Sequence, residues 1–355
     1  MGSDRIGAAA SLRRLALAAG FMLAAEPALA AAPAPAPITP ALIEAAKKEG
    51  KVVFYTSIDV QVIENLAKSF EAAYPGVSVQ VERNGAERIF QRLAQERGSS
   101  IYAADVLESS DQTHFLAWKR QGWLEPFLPT EVAEKWPAAE RDPDGCFASV
   151  RYTLSAMGYN TKQVKPEDAP KSYADLLDKK WSGKIVKAHP GYSGIIMTAT
   201  FAISQALGWE YFEKLGKQRV MQLQSATEPP KKIALGERAI MADGSEYLVL
   251  QMKESGSPVD VIYPSEGTPI AIGGLAIAKN MPHPNAAKLF VSYFFSREGQ
   301  QLMSDVAALR SFHPEVKLKA GRKPLSEIKI LRSDPAEQEK AMETIKQKYA
   351  QYFGI

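Results

Sequence analysis

The chain has 355 residues, 46 % of them hydrophobic and 23 % charged, with a formal net charge of +3. That length suits two halves of ordinary size rather than one small core. Without its first 30 residues the chain loses three Arg and two acids, leaving +2, too little for an electrostatic footprint toward nucleic acid. The one cysteine, Cys146, excludes an internal disulfide and a Cys-based zinc cluster, and reads as a small buried hydrophobe.

Arg5, Arg13 and Arg14 precede an apolar stretch over 15–25, and Ala28-Leu29-Ala30 supplies small residues in an A-x-A pattern. This predicts a secretory signal peptide over 1–30, too short to span a membrane, and a periplasmic mature protein, exported by the Sec or the twin-arginine route. Residues 31–40, rich in Pro and Ala, read as an extended or disordered leader.

A short helix is predicted over 41–48, then a buried strand over 51–55 ending at Thr56-Ser57. Ile63, Leu66, Ala67, Phe70 and Tyr74 share a helix face, with Asp59 or Ser57 as cap. Val77, Val79 and Val81 alternate as a second strand ending at Arg83-Asn84-Gly85, followed by a helix over 86–97. A third strand over 104–107 runs into Glu108-Ser109-Ser110-Asp111 and a helix carrying Phe115, Leu116 and Trp118. Strand–helix alternation at this spacing implies a parallel sheet with right-handed crossovers. Ligands of such sheets bind beyond the carboxyl ends of the strands, where helix N-termini favour oxygen or negative charge. Thr56, Ser57, Asn84, Ser109 and Ser110 are therefore candidate ligand contacts. Arg83 and Arg88 favour an anion if they reach the same cleft, whereas the helix arginines 88, 92 and 97 read by default as solvated.

Residues 161–188 read as a polar connector with short helices and a strand near 184–186, leading to His189-Pro190-Gly191-Tyr192-Ser193-Gly194 and a long helix. A strand over 239–242 ends at Asp243-Gly244-Ser245-Glu246-Tyr247, a helix follows over 248–253, and a strand over 259–263 ends at Pro264-Ser265-Glu266. The second half thus repeats strand, small-polar turn, helix. It adds His189, Tyr192, Ser193, Ser245, Glu246, Tyr247, Tyr263 and Glu266 as candidate contacts. Hydroxyls at helix N-termini suit a carboxylate, phosphate or phosphonate. The carboxylates suit an amine or sugar hydroxyl, and the tyrosines supply walls. An apolar strand over 270–278, a helix over 284–295 continued at 299–303, and a charged, solvated helix over 334–349 complete the chain.

This order, with Gly50-Lys51-Val52-Val53-Phe54-Tyr55-Thr56-Ser57, Phe70-Glu71-Ala72-Ala73-Tyr74-Pro75-Gly76-Val77, Ala104-Asp105-Val106, Gly158-Tyr159-Asn160-Thr161, Trp181-Gly183-Lys184-Ile185, Gly273-Gly274-Leu275-Ala276-Ile277 and Pro284-Asn285-Ala286-Ala287-Lys288-Leu289-Phe290, resembles the periplasmic solute-binding proteins of ABC importers, type II, and within them the ferric-iron-binding branch. The resemblance spans about 41–303. It implies an α/β, two-lobed periplasmic-binding-protein (type II) fold with a doubly wound mixed sheet in each lobe. Lobe 1 would comprise 41–148 and 268–304 and lobe 2 would comprise 149–267. The chain would cross near 147–152 and 264–269, and the C-terminal helices over 305–355 would pack on the lobes. It implies a hinge-closing monomer that passes a small-molecule or metal-ion ligand to an inner-membrane ABC permease.

Iron-binding relatives use two adjacent tyrosines, and ferric iron prefers phenolate and carboxylate oxygen. Here Ser245-Glu246-Tyr247 stands at that turn and no Tyr-Tyr pair exists. Tyr247 and Glu246 are the candidate ligands if Fe3+ is the transported cargo, a ferric complex whose chelator is held by hydroxyls is the other iron reading, and no resident cofactor is expected. A small organic anion without iron is the alternative. No G-x-S-x-G, H-E-x-x-H or P-loop is present, so an enzyme is not expected. A carboxylate-based hydrolase and a ligand presenter for a chemoreceptor are the remaining readings. Glu246→Ala is expected to weaken ligand binding and leave the fold intact.

Overall fold

The computed structural model describes residues 32–355, and the expected signal peptide lies outside them. The described part of the Pro/Ala leader is extended and tied down: the Ala36 amide donates to the Leu128 carbonyl at 2.9 Å, and Thr130 donates back to Ala36 at 3.3 Å.

α1 (Pro40–Glu49) stops at Gly50, whose φ of 76° is left-handed and turns the chain into β1 (Lys51–Thr56). Asp59 caps α2 (Val60–Ala73), accepting from the Gln61 amide at 3.1 Å. β2 (Ser78–Arg83), α3 (Ala86–Gly98), β3 (Val106–Ser109) and α4 (Gln112–Arg120) follow in the expected alternation. Then come β4 (Leu124–Glu125), α5 (Thr130–Lys135), β5 (Ala148–Leu154) and β6 (Met157–Asn160). Short 3-10 turns occupy the connector up to β7 (Ile185–Ala188). α6 (Gly194–Leu207), α7 (Trp209–Gly216), β8 (Met221–Leu223), α8 (Glu228–Ala234), β9 (Ile240–Met241), α9 (Glu246–Glu254) and β10 (Val259–Ile262) build the second half. β11 (Thr268–Ala278), α10 (Pro284–Phe295), α11 (Arg297–Ala307), β12 (Ile330–Leu331) and α12 (Pro335–Phe353) complete the chain.

The strands form two mixed sheets. In the first the order is β12-β11-β3-β1-β2, with β4 and β5 also on β11; in the second it is β10-β6-β9-β7-β8. β1 is parallel to β2 and β3, β11 is antiparallel to β3 and β5, β7 is parallel to β8 and β9, and β6 is antiparallel to β9 and β10. This is the two-lobed, mixed-sheet α/β architecture expected from the sequence. The chain leaves the first sheet after Leu154, and it returns between Ile262 and Thr268. Residues 149–154 therefore pair in the first sheet, a few residues past the expected crossing.

The first core is aromatic. Phe290 of α10 meets Phe54 of β1 and Phe70 of α2 edge-on at ring-centre distances of 5.1 and 5.2 Å. All three are fully buried, so each ring packs against its neighbours' edges in the arrangement their quadrupoles favour. Phe290→Ala is expected to cost about 3–5 kcal/mol, read as a lower midpoint in urea unfolding of the mature chain.

Candidate functional site

The carboxyl ends of β1 and β3 meet around one buried carboxylate. Glu108, the third residue of β3, is inaccessible to solvent. Its Oε2 accepts from Thr56 Oγ1 at 2.9 Å, from the Ser57 amide at 2.7 Å and from Ser57 Oγ at 3.0 Å. Its Oε1 accepts from Arg151 of β5 at 2.8 Å, so the charge is paired as its burial requires. Ser57 Oγ in turn accepts from the Ser110 amide at 3.1 Å. Ser109 Oγ bonds His114 Nδ1 at 2.8 Å. The hydroxyls of Thr56, Ser57 and Ser109 thus hold the strand ends together, and the site presents them as a fixed floor. Asn84 accepts from the Gly85 amide at 3.1 Å and stays partly accessible.

In the second half, Ser193 and Ser245 are the N-caps of α6 and α9, both buried and neither making a side-chain cap bond. Ser245 Oγ has no hydrogen-bond partner among the described residues. Glu246 and Tyr247 lie in the first turn of α9, two residues earlier than the predicted helix start. Glu246 is buried and spoken for: Oε1 accepts from Arg310 at 3.0 Å and from Tyr263 Oη at 2.5 Å, and Oε2 accepts from Arg310 Nε at 3.3 Å. Burial, then the Glu246 charge, holds the Tyr263 phenol well above its usual range. Burial pushes the Tyr247 phenol up to about 12. Glu266 is partly buried, accepting from the Ala174 amide at 3.3 Å and from Ser265 Oγ at 3.2 Å. His189 Nδ1 accepts from the Gly191 amide at 2.8 Å, while Tyr192 is 39 % exposed.

The two halves touch at these turns. Arg83, the last residue of β2, donates to the Ser57 and Ile58 carbonyls on its own side at 3.4 and 3.3 Å, and across the cleft to Ser225 Oγ at 3.0 Å and Thr227 Oγ1 at 3.4 Å. Arg88 of α3 donates to Gln224 Oε1 at 2.5 Å and lies 5.5 Å from the Tyr192 ring centre. Approach is close enough that a Cβ on Gly85 would sit 2.4 Å from the Tyr192 carbonyl oxygen. Between them a cavity of about 120 Å³ is lined by Arg83, Asn84, Arg88, Tyr192, Ser225 and Glu228 among others. The Glu228 carboxylate accepts from the Gln224 and Ser225 amides at 2.9 and 2.8 Å. A hollow of about 190 Å³ elsewhere is larger, but α4, the 139–149 segment and Pro335 line it, with no strand-end residue from the second sheet.

Of the residues singled out in the sequence, Asn84 and Tyr192 line the cavity beside Arg83, and Ser110 Oγ lies 3.0 Å from where a Cβ on Gly194 would stand. Glu266 is not among the lining residues, and Glu246 and Tyr263 form an ion-paired cluster with Arg310. Sequence reasoning did not find Glu108, Arg151, Ser225, Thr227 or Glu228. A Ser-Ala-Thr-Glu run ahead of a Pro-Pro helix start was the available signal for the last three. Arg92 is held by Glu82 and Glu96 at 3.1 and 2.8 Å, and Arg97 has guanidinium nitrogens without partners among the described residues; neither is simply solvated. Cys146 is half-buried, and burial with Asp142 pushes its thiol up to about 11, so it stays protonated.

A model for the family described as "Bacterial extracellular solute-binding protein" matches residues 65–348. The chain belongs to that family. Solute-binding proteins of this kind are the substrate-binding components of ABC transporters. An uncharacterized protein of Haemophilus influenzae is 26 % identical over 270 residues, covering 72 % of this chain and 76 % of its own. A putative 2-aminoethylphosphonate-binding periplasmic protein of Salmonella typhimurium is 24 % identical over 250 residues, covering 65 % and 68 %. Among solved structures, the periplasmic binding protein AfuA of Actinobacillus pleuropneumoniae, with fructose-6-phosphate bound, has a TM-score of 0.78 at 24 % identity, covering 86 % of this chain and 99 % of that one. Iron-bound HitA of Pseudomonas aeruginosa has a TM-score of 0.71 at 21 % identity, covering 84 % and 99 %. These solute-binding proteins share the two-lobed fold.

Two outcomes follow for this family member. Glu246→Ala leaves Arg310 charged, buried and unpaired, so the expectation of an intact fold changes: destabilisation of about 3–5 kcal/mol is expected by chemical unfolding. Burial, then the Lys187 charge, lowers the His189 pKa from 6.5 to about 4. The folded state thus takes up this proton later than the unfolded state. The group's contribution to stability is full above about 6.5 and declines as pH falls toward 4. NMR of the ring at pH 5 should show His189 neutral.

Proposed function

We propose that the protein is a non-enzymatic, monomeric periplasmic solute receptor that captures a small organic oxyanion, a phosphonate or phosphate ester, in the cleft between its lobes. Lobe 1 would be built on the first sheet and lobe 2 on the second, closing on the ligand and presenting it to an ABC permease. The observation that carries this reading is Arg83: it reaches from the β2 end to Ser225 and Thr227 across the cleft, with Arg88 lining the same cavity. A guanidinium fork matches phosphoryl and carboxylate oxygens. Asn84, Tyr192 and the hydroxyl of Ser225 surround it, and Glu228 supplies a countercharge for an amine. The cavity of about 120 Å³ is small beside an ordinary ligand pocket, which fits a compact anion held in a closed cleft. The ligand stabilises closure only by its differential affinity for that state.

Ferric iron finds less support. Its two candidate ligands are Glu246, whose oxygens serve Arg310 and Tyr263, and Tyr247, whose phenol is held protonated by burial. Names of relatives point both ways, to phosphonate and to iron.

A thermal-shift screen of the mature chain tests the reading, with inorganic phosphate, 2-aminoethylphosphonate, a hexose phosphate, simple carboxylates and ferric citrate. A compound at 100 times its dissociation constant adds about 2.7 kcal/mol. A phosphoryl compound is expected to raise the melting point, and Arg83→Lys to weaken its binding about 10–100-fold through loss of the fork. A shift with ferric compounds alone would sink the oxyanion reading.

A further inference from the structure

α12 touches both lobes, with two different faces. Gln338, Met342 and Lys346 recur every four residues and form one stripe along the helix. Gln338 Nε2 donates to both oxygens of Asp111 at 3.1 and 3.0 Å, Thr113 Oγ1 lies 3.7 Å from Met342 Sδ, and Lys346 Nζ lies 3.5 Å from Glu87. Glu339, beside this stripe, takes Arg120 of α4 at 3.0 Å. All four partners belong to α3, α4 or the α4 cap. The neighbouring stripe, Ala341, Ile345, Tyr349 and Phe353, is apolar. Ile345 packs on Met197 and Phe201 of α6. Tyr349 Oη donates to Gln222 Oε1 at 2.8 Å, and its ring meets His189 at 4.9 Å. A Cβ on Gly216 at the end of α7 would lie 2.1 Å from the Tyr352 carbonyl oxygen. The helix expected to be a charged, solvated face is therefore wedged between the lobes.

The cleft contacts and the helix contacts meet at one residue. Asp111 holds Gln338 with its carboxylate, and its Cβ lies 2.7 Å from where a Cβ on Gly194, the first residue of α6, would stand. Hinge opening that lifts α6 off Asp111 must strip α12 from one lobe. The apolar stripe loses buried surface if it separates, whereas the polar stripe exchanges its bonds for water. We infer that α12 is a latch, anchored on the second lobe through Ile345, Tyr349 and Phe353, which holds the first lobe closed through Gln338, Glu339 and Lys346.

The latch does not depend on which anion the cleft takes, so it is tested without ligand. In the ligand-free mature chain, small-angle scattering should give a larger radius of gyration for Gln338→Ala/Lys346→Ala than for wild type. Hydrogen exchange at the Gly194–Met197 amides should rise about tenfold, as loss of charge-assisted bonds shifts the closed–open balance. Lys340→Ala/Gln347→Ala, on the solvent side of the same helix, should change neither. Because the first variant disturbs a buried cluster, a charge swap provides the second arm: Arg120→Glu should open the molecule and Arg120→Glu/Glu339→Arg should close it again. Far-UV circular dichroism confirms that α12 stays helical. Scattering and exchange equal to wild type in both folded variants would overturn the latch.

Discussion

Glu108 sits without solvent contact at the end of β3 and accepts from Thr56, Ser57 and Arg151 at once. A carboxylate buried to that degree must be paired, so the ends of β1 and β3 and the strand leading to the crossing are held in one geometry. The turn that follows β3 stands on this arrangement. Ser57 Oγ positions the Ser110 amide, Ser109 positions the Asp111 turn by accepting from its amide at 3.2 Å, and Asp111 receives α12.

A second ion-paired centre does comparable work where the chain crosses. Glu246 opens α9 in the second lobe, Tyr263 follows β10, and Arg310 lies beyond α11 with its carbonyl accepting from the Tyr152 amide of β5 at 3.1 Å. Segments from both lobes thus converge on one carboxylate near the crossing. A negative charge at the first turn of α9 is also favoured by the helix dipole. Glu108 and Glu246 are thus committed to structure, while Arg83 and Arg88 line the cavity with Asn84, Ser225 and the one carboxylate of Glu228.

The fold was readable because its first half obeys simple periodicities. Val77, Val79 and Val81 alternate, and Ile63, Leu66 and Phe70 share a face, and both elements form where the pattern places them. β5 escaped because ASVRYTL carries a charged residue whose partner, Glu108, is 43 positions away. β8 has three residues, and α8 carries two prolines right after its first residue, tolerated only in a first turn. Missing these two elements hid Ser225 and Glu228, which line the cavity with Tyr192, and Thr227, which takes Arg83. The strand-end rule named Asn84, which lines the cavity, but cannot say which hydroxyls the protein uses on itself, as it does those of Thr56, Ser57 and Ser109. Nothing local links Glu246 to Arg310, 64 residues on, so its carboxylate read as free. The charges of α12 hid a buried stripe for the same reason: their partners lie more than 200 positions away.

The account makes Arg83 and the cavity beside it the place where ligand oxygen is held, and Glu246 a structural carboxylate. A crystal structure of the mature protein with the compound giving the largest thermal shift tests this most directly. The account predicts an oxyanion within hydrogen-bond distance of the Arg83 guanidinium, with the Glu246–Arg310 pair intact. Metal density bonded to the Tyr247 phenolate, with Glu246 released from Arg310, would contradict it.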